Sequence, residues 1–236
     1  MKKTVLFTWM VLSLGSVKAH YEYTAGHADI GLGEHDKLEL HLHAHTGAIV
    51  NGLALSQEAE YKPDEIVIVV PNSAVFARPA GTAWFFLGNA PGDDTWHLPQ
   101  SGTDAETFAS PFLGIGAEEA ATGVFQNDRL YLTLIEVDGP GHFSLYKVSF
   151  GLPVVYMADS DGIFADDRVT VQAGGHGHYN MAFSQAGDYR ITFEASALSV
   201  EGDRLTHQAV FHFHVIPEPA TLALLLAGGW FLIRRP

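Results

Sequence analysis

Polar and apolar residues alternate with a period of two along much of the chain. Lys37-Leu38-Glu39-Leu40-His41-Leu42-His43, Arg129-Leu130-Tyr131-Leu132-Thr133-Leu134, Tyr189-Arg190-Ile191-Thr192-Phe193-Glu194 and Ala209-Val210-Phe211-His212-Phe213-His214-Val215 each read as a strand with one buried face. Residues 65–70 form a more continuous β-branched run, the pattern of a fully buried strand. Between these runs stand turn signals: Gly81, Pro91-Gly92-Asp93-Asp94, Asp138-Gly139-Pro140-Gly141, Asp161-Gly162, Gly174-Gly175 and Glu201-Gly202-Asp203. Helical periodicity is scarce, and residues 117–122, closed by Gly123, predict one short helix. Many short strands parted by Gly and Pro turns predict an all-β fold. The expected architecture is an antiparallel β-sandwich or jelly-roll-like single domain with long loops, over residues 20–215.

The two ends follow a different pattern. Lys2 and Lys3 precede an apolar stretch, and Val17 and Ala19 stand at the spacing a signal peptidase reads. Residues 1–19 are therefore expected to be a signal peptide, cut before His20. The far end, residues 216–236, begins with Pro217-Glu218-Pro219, where two prolines oppose regular structure. An almost wholly apolar run over 222–233 follows, shorter than the ~20 residues of a stable membrane helix. Arg234 and Arg235 would hold its end on the cytoplasmic side. This arrangement resembles the PEP-CTERM sorting signal of Gram-negative, exopolysaccharide-producing bacteria. The resemblance implies transient anchoring in the inner membrane by a C-terminal transmembrane helix, removal of the tail by exosortase, and delivery to the cell surface or extracellular matrix. A permanent C-terminal anchor is the alternative.

Charge narrows the function classes. The chain carries 13 Lys and Arg against 27 Asp and Glu, a formal net charge of −14, and no cysteine. Five of those basic residues (Lys2, Lys3, Lys18, Arg234, Arg235) but only one acidic residue (Glu218) lie in the terminal segments, so the middle is more acidic still. Such a surface repels nucleic acid and attracts cations. Without cysteine, disulfides, thiolate nucleophiles and Cys-ligated metals are excluded.

Histidine changes the picture most. All 13 histidines lie between the terminal segments, several as His-x-His. His41, His43 and His45 share strand parity and point to one face at a rise of ~3.3 Å per residue, with Leu38, Leu40 and Leu42 on the other. His212 and His214 repeat the arrangement opposite Phe211, Phe213 and Val215. His176-Gly177-His178 follows a Gly-Gly turn, and His27-x-Asp29 stands near the start. Two imidazoles at i and i+2 can share a cation, whose nitrogen ligands sit at ~2.1 Å. His27, Asp29, His41, His43, His176 and His178 are the candidate ligands, with Zn2+ or another divalent transition metal as the ion. Polar positions on a wet strand face are the competing explanation of each pair.

The core also resembles a known family. Gly26-His27-Ala28-Asp29-Ile30, Leu38-Glu39-Leu40-His41-Leu42-His43, Asp94-Thr95-Trp96-His97-Leu98-Pro99-Gln100 and Gly139-Pro140-Gly141-His142-Phe143-Ser144-Leu145-Tyr146 carry the likeness. So does Ala173-Gly174-Gly175-His176-Gly177-His178-Tyr179-Asn180-Met181-Ala182-Phe183, continuing through Gly187-Asp188-Tyr189 to Phe193-Glu194. These stretches resemble the choice-of-anchor M domain and, in the C-terminal third, the repeat of actinobacterial surface-anchored wall proteins. Met181 departs from the aromatic residue expected there. The resemblance implies a surface domain whose actinobacterial relatives are associated with metal-type ABC transport systems.

Other chemistry finds little support. No G-x-S-x-G elbow, His-Glu-x-x-His helix or phosphate-binding P-loop is present. Asp159-Ser160-Asp161-Gly162 with Asp166-Asp167 lacks the full calcium loop and reads as an acidic turn. Glu118-Glu119 and Asp93-Asp94 read as solvated loop charges. A copper site at an N-terminal His20 would need chemistry that nothing else in the chain supports. Two function classes remain. One is a non-enzymatic surface or exopolysaccharide-associated β-domain that binds a divalent metal. The other is an extracellular metal-dependent hydrolase or oxidase using the same histidines.

Overall fold

A computed structural model describes residues 21–217. The signal peptide, His20 and nearly all of the sorting segment, including Glu218, Pro219, Arg234 and Arg235, lie outside the described residues; Pro217 is the last of them and is exposed. Strands dominate, arranged in two open sheets of twelve and five strands. The path of the larger sheet runs Arg168–Gln172, Phe125–Asp138, Gly187–Ser199, Arg204–Val215, Ile66–Val70, Tyr21–Glu34, Lys37–Ala44 and Ala59–Tyr61. Pro111–Gly116 also pairs with Tyr21–Glu34, and His176–His178 pairs with Pro111–Gly116. The smaller sheet runs Leu152–Ala158, Phe143–Ser149, Asn180–Phe183, Asp94–Leu98 and Val75–Ala77.

Every alternating run named above is a strand or lies within one. Their apolar positions enter one continuous cluster, to which both sheets contribute: Leu40, Leu42, Leu132, Ile191 and Phe211 from the larger, Leu98, Phe143 and Phe183 from the smaller. Met181 is fully buried in that cluster, so a thioether fills the place expected for an aromatic ring.

Three features depart from expectation. The larger sheet is mixed, because Ile66–Val70 runs parallel to both of its neighbours, Tyr21–Glu34 and Arg204–Val215. A strand hemmed in by parallel partners is covered on both faces, which accounts for its unbroken β-branched composition. Tyr21–Glu34 changes partners midway, pairing in parallel first with Ile66–Val70 and then with Pro111–Gly116. Gly26 stands at that change with φ 83°, and a Cβ there would come within 2.8 Å of Ala48 Cα, so glycine is required. Third, residues 117–122 form turns and no helix. Their amides bond to other segments, Ala117 N–H to Gly175 O at 2.8 Å and Ala121 N–H to His35 O at 2.8 Å, so no i−4 ladder forms. Among the described residues the α-helix is Gly102–Phe108, whose N-cap Ser101 accepts a hydrogen bond from Asp104 N–H.

Candidate metal centre

Cross-strand register assembles the site. Asp29 lies opposite His43 on one neighbouring strand and Gly114 on the other, and Gly114 in turn faces His178. Glu60 extends this row from beyond His43. Gly31 lies opposite both His41 and Gly116, and Gly116 faces His176. Two adjacent rows on one sheet face thus combine ligand side chains with glycines. A Cβ on Gly114 would collide with Asp29 Oδ1, and one on Gly31 would enter the His41 ring. Neither glycine has a positive φ, so each is there for space. The opposite face of the same strands buries Ala28, Ile30, Leu32, Leu40, Leu42, Leu113 and Ile115. Burying each large apolar side chain contributes roughly 1.5–3 kcal/mol, so the backbone beneath the polar rows is firmly held.

Asp29 is the centre of the bank. It is 2 % exposed, and its Oδ2 lies 2.9 Å from His45 Nε2 and 3.3 Å from His27 Nε2. Burial opposes its charge, but the interactions with His27 and His45 prevail and hold the carboxyl below its ordinary value. His45 responds in the opposite sense. Burial pulls its pKa down, yet the bond to Asp29 and the nearby Glu118 and Glu58 carboxylates leave it raised. The His27 and His45 rings stack at 4.1 Å, and His178 and His176 stand 4.9 and 5.7 Å from His27. Phe112 stacks on His178 at 3.7 Å. Burial drives His178 down to about 4, so at neutral pH it is an uncharged imidazole, the form that ligates metal.

Donor atoms of His27, His176 and His178 all lie within 4.8 Å of one another, as do those of His27, Asp29 and His45. Ligands at ~2.1 Å around a tetrahedral ion are ~3.4 Å apart, so small side-chain shifts close either set on a cation. Several of these atoms are buried without a hydrogen-bond partner: His27 Nε2, Asp29 Oδ1 and His178 Nδ1. Such atoms are costly to bury unless something binds them.

A further group lies along the same face. His41 Nε2 lies 2.8 Å from Glu119 Oε2, and His43 Nδ1 lies against Glu119 Oε1. With Glu60 these residues form a set within 4.8 Å, and His43, His45 and Glu58 form another. Glu118, beside Glu119, places Oε1 at 2.6 Å from His176 Nδ1.

All six candidate ligands therefore lie in this one bank. His45 and the carboxylates Glu58, Glu60, Glu118 and Glu119 join them. Glu118 and Glu119 are not the solvated loop charges expected, because each carboxylate is drawn to histidine. His212 and His214 lie elsewhere on the larger sheet; His214 Nδ1 pairs with exposed Asp188 at 2.6 Å. Asp159 and Asp167 accept backbone N–H bonds from Phe143, Ala158 and Phe164, which makes theirs a turn-stabilising role. Comparison with protein-family models, curated proteins and solved structures finds no match to this chain.

Proposed function

We propose that this protein is an exported, non-enzymatic β-domain of sandwich type that captures a divalent transition metal, zinc by ligand type, at the cell surface or in an exopolysaccharide matrix. The observation that carries the reading is the meeting of His27, from one strand, with His176 and His178, from another, beside buried polar atoms that lack a hydrogen bond. Three imidazoles beside a carboxylate suit zinc. The acidic surface would raise the local concentration of cations. Export rests on the terminal patterns: signal peptidase would remove residues 1–19, and exosortase would act at Pro217-Glu218-Pro219. The likeness to choice-of-anchor M and actinobacterial wall domains adds a metal-transport system as a partner class.

The test is metal analysis of the purified chain after chelator treatment and return of zinc. Stoichiometric zinc and a raised melting temperature are expected. A protein that retains no zinc and melts at the same temperature with or without it ends the proposal. For sorting, mass spectrometry of the surface-delivered protein should find residues 222–236 removed; a mature form that keeps them overturns that part.

One observation speaks for an extracellular metal-dependent hydrolase or oxidase. A cleft of about 460 Å³, lined by Gly26, His27, Ala105, Glu106, Ser110 and Phe112, reaches the bank at His27. In that reading the cleft would bring a substrate to the metal, and a metal-bound water would be the reactive group.

A further inference from the structure

We infer that the bank takes two divalent ions, one at His27, His176 and His178 and a second at His41, His43, Glu60 and Glu119. The inference rests on the metal-binding reading above. The two donor sets share no residue, and each is complete by itself, with its ligand atoms within 4.8 Å of one another. His45 neighbours both, its ring 4.7 Å from that of His43 and 4.1 Å from that of His27. Two strands, Tyr21–Glu34 and Pro111–Gly116, part His176 and His178 from His41 and His43. At ~4.8 Å per strand, one ion with ligands at ~2.1 Å does not reach both pairs.

The turn over Glu118 and Glu119 reflects the same division. Consecutive carboxylates reach to opposite ends, Glu118 to His176 at 2.6 Å and Glu119 to His41 at 2.8 Å. Buried imidazole nitrogens without a hydrogen bond also occur at both ends, His178 Nδ1 in the first set and His43 Nδ1 in the second. His43 Nδ1 also lies against Glu119 Oε1, which sets an imidazole and a carboxylate of the second set side by side.

The two ends differ in chemistry. The first set is all imidazole, with Asp29 beside His27 as a buried counter-charge. The second carries two carboxylates, which balance a dication directly. Oxygen donors make the second site harder, so it discriminates less against manganese or magnesium than the imidazole site does.

Chelator-stripped protein titrated with zinc tests this, with bound metal counted by mass spectrometry and by calorimetry. Two equivalents are expected. The pair Glu60→Gln and Glu119→Gln preserves shape while removing charge, and should lower saturation to one equivalent. The pair His176→Ala and His178→Ala should also leave one, held at the other end. Circular dichroism of each metal-free variant checks folding, and cobalt absorption gives an independent count. Wild type saturating at one equivalent, or the glutamine pair still taking two, overturns the two-ion inference while leaving single-ion capture intact. No bound zinc in wild type overturns both readings.

Discussion

His41-Leu42-His43 and His212-Phe213-His214 share one alternating pattern, yet they serve different chemistry. In the first, the neighbouring strands contribute Asp29, Gly31 and Glu60 beside the histidines, and Glu119 reaches in from a turn. In the second, His212 lies opposite Arg190 and Val67, and His214 opposite Asp188 and Val69. Burial and the Arg190 charge lower the His212 pKa, whereas the carboxylates around His45 raise its pKa despite burial. A period of two tells which way a side chain faces. Whether that face becomes a site depends on anions, and on empty space left by glycine, in strands far away in sequence.

The comparison breaks most readily at the metal. Replacing His27, His176 and His178 by Ala should remove the stabilisation that zinc at this set supplies, worth about 2.7 kcal/mol at free zinc 100-fold above Kd, leaving only what the second set supplies. Replacing His212 and His214 by Ala should leave zinc-induced stabilisation unchanged. Equal losses in a thermal-shift titration would show that the two regions do not differ in this respect.

A smaller effect concerns space. Gly114→Ala drives a methyl into Asp29 and should destabilise the metal-free protein by about 1–3 kcal/mol in urea unfolding. Gly177→Ala, whose Cβ meets Tyr179 at an ordinary 3.6 Å, should stay within about 0.5 kcal/mol. If both unfold alike, the glycines are not spacers.

The smallest effect is in pH, and its sign differs between the regions. His45 is raised above 6.5, so its contribution to stability is full below 6.5 and is lost as pH rises through the folded value. His212 is lowered below 6.5, so its contribution is present above 6.5 and is lost as pH falls through the folded value. NMR titration of the metal-free protein should place the His45 midpoint above that of His212. Asp29→Asn should bring His45 down and leave His212 alone; an unmoved His45 would remove Asp29 as the cause.

Alternation made the strands legible, and His41, His43, His176 and His178 were legible with them. Glu118 and Glu119 were not, because adjacent acidic residues in a turn look the same whether they face water or histidine. Gly114-Ile115-Gly116 carried a readable signal: glycine at every second position of a strand, with apolar residues between, leaves one face open for its neighbours' side chains. The helix Gly102–Phe108 was marked by Ser101 three residues before Asp104, a capping pattern in a segment without helical periodicity. The parallel pairings escaped because pairing direction depends on partners distant in the chain.

The donors are scattered along the chain, with Glu118 and His176 separated by 58 positions and His41 and Glu119 by 78. A chain that emerges from its N-terminus presents His27 and His41 early and His178 late. No truncated or half-emerged chain holds the three-imidazole cradle, whatever ions surround it. On the metal-capture proposal, loading would therefore be a late event, and the ion would be drawn from the compartment where residue 178 finally takes its place.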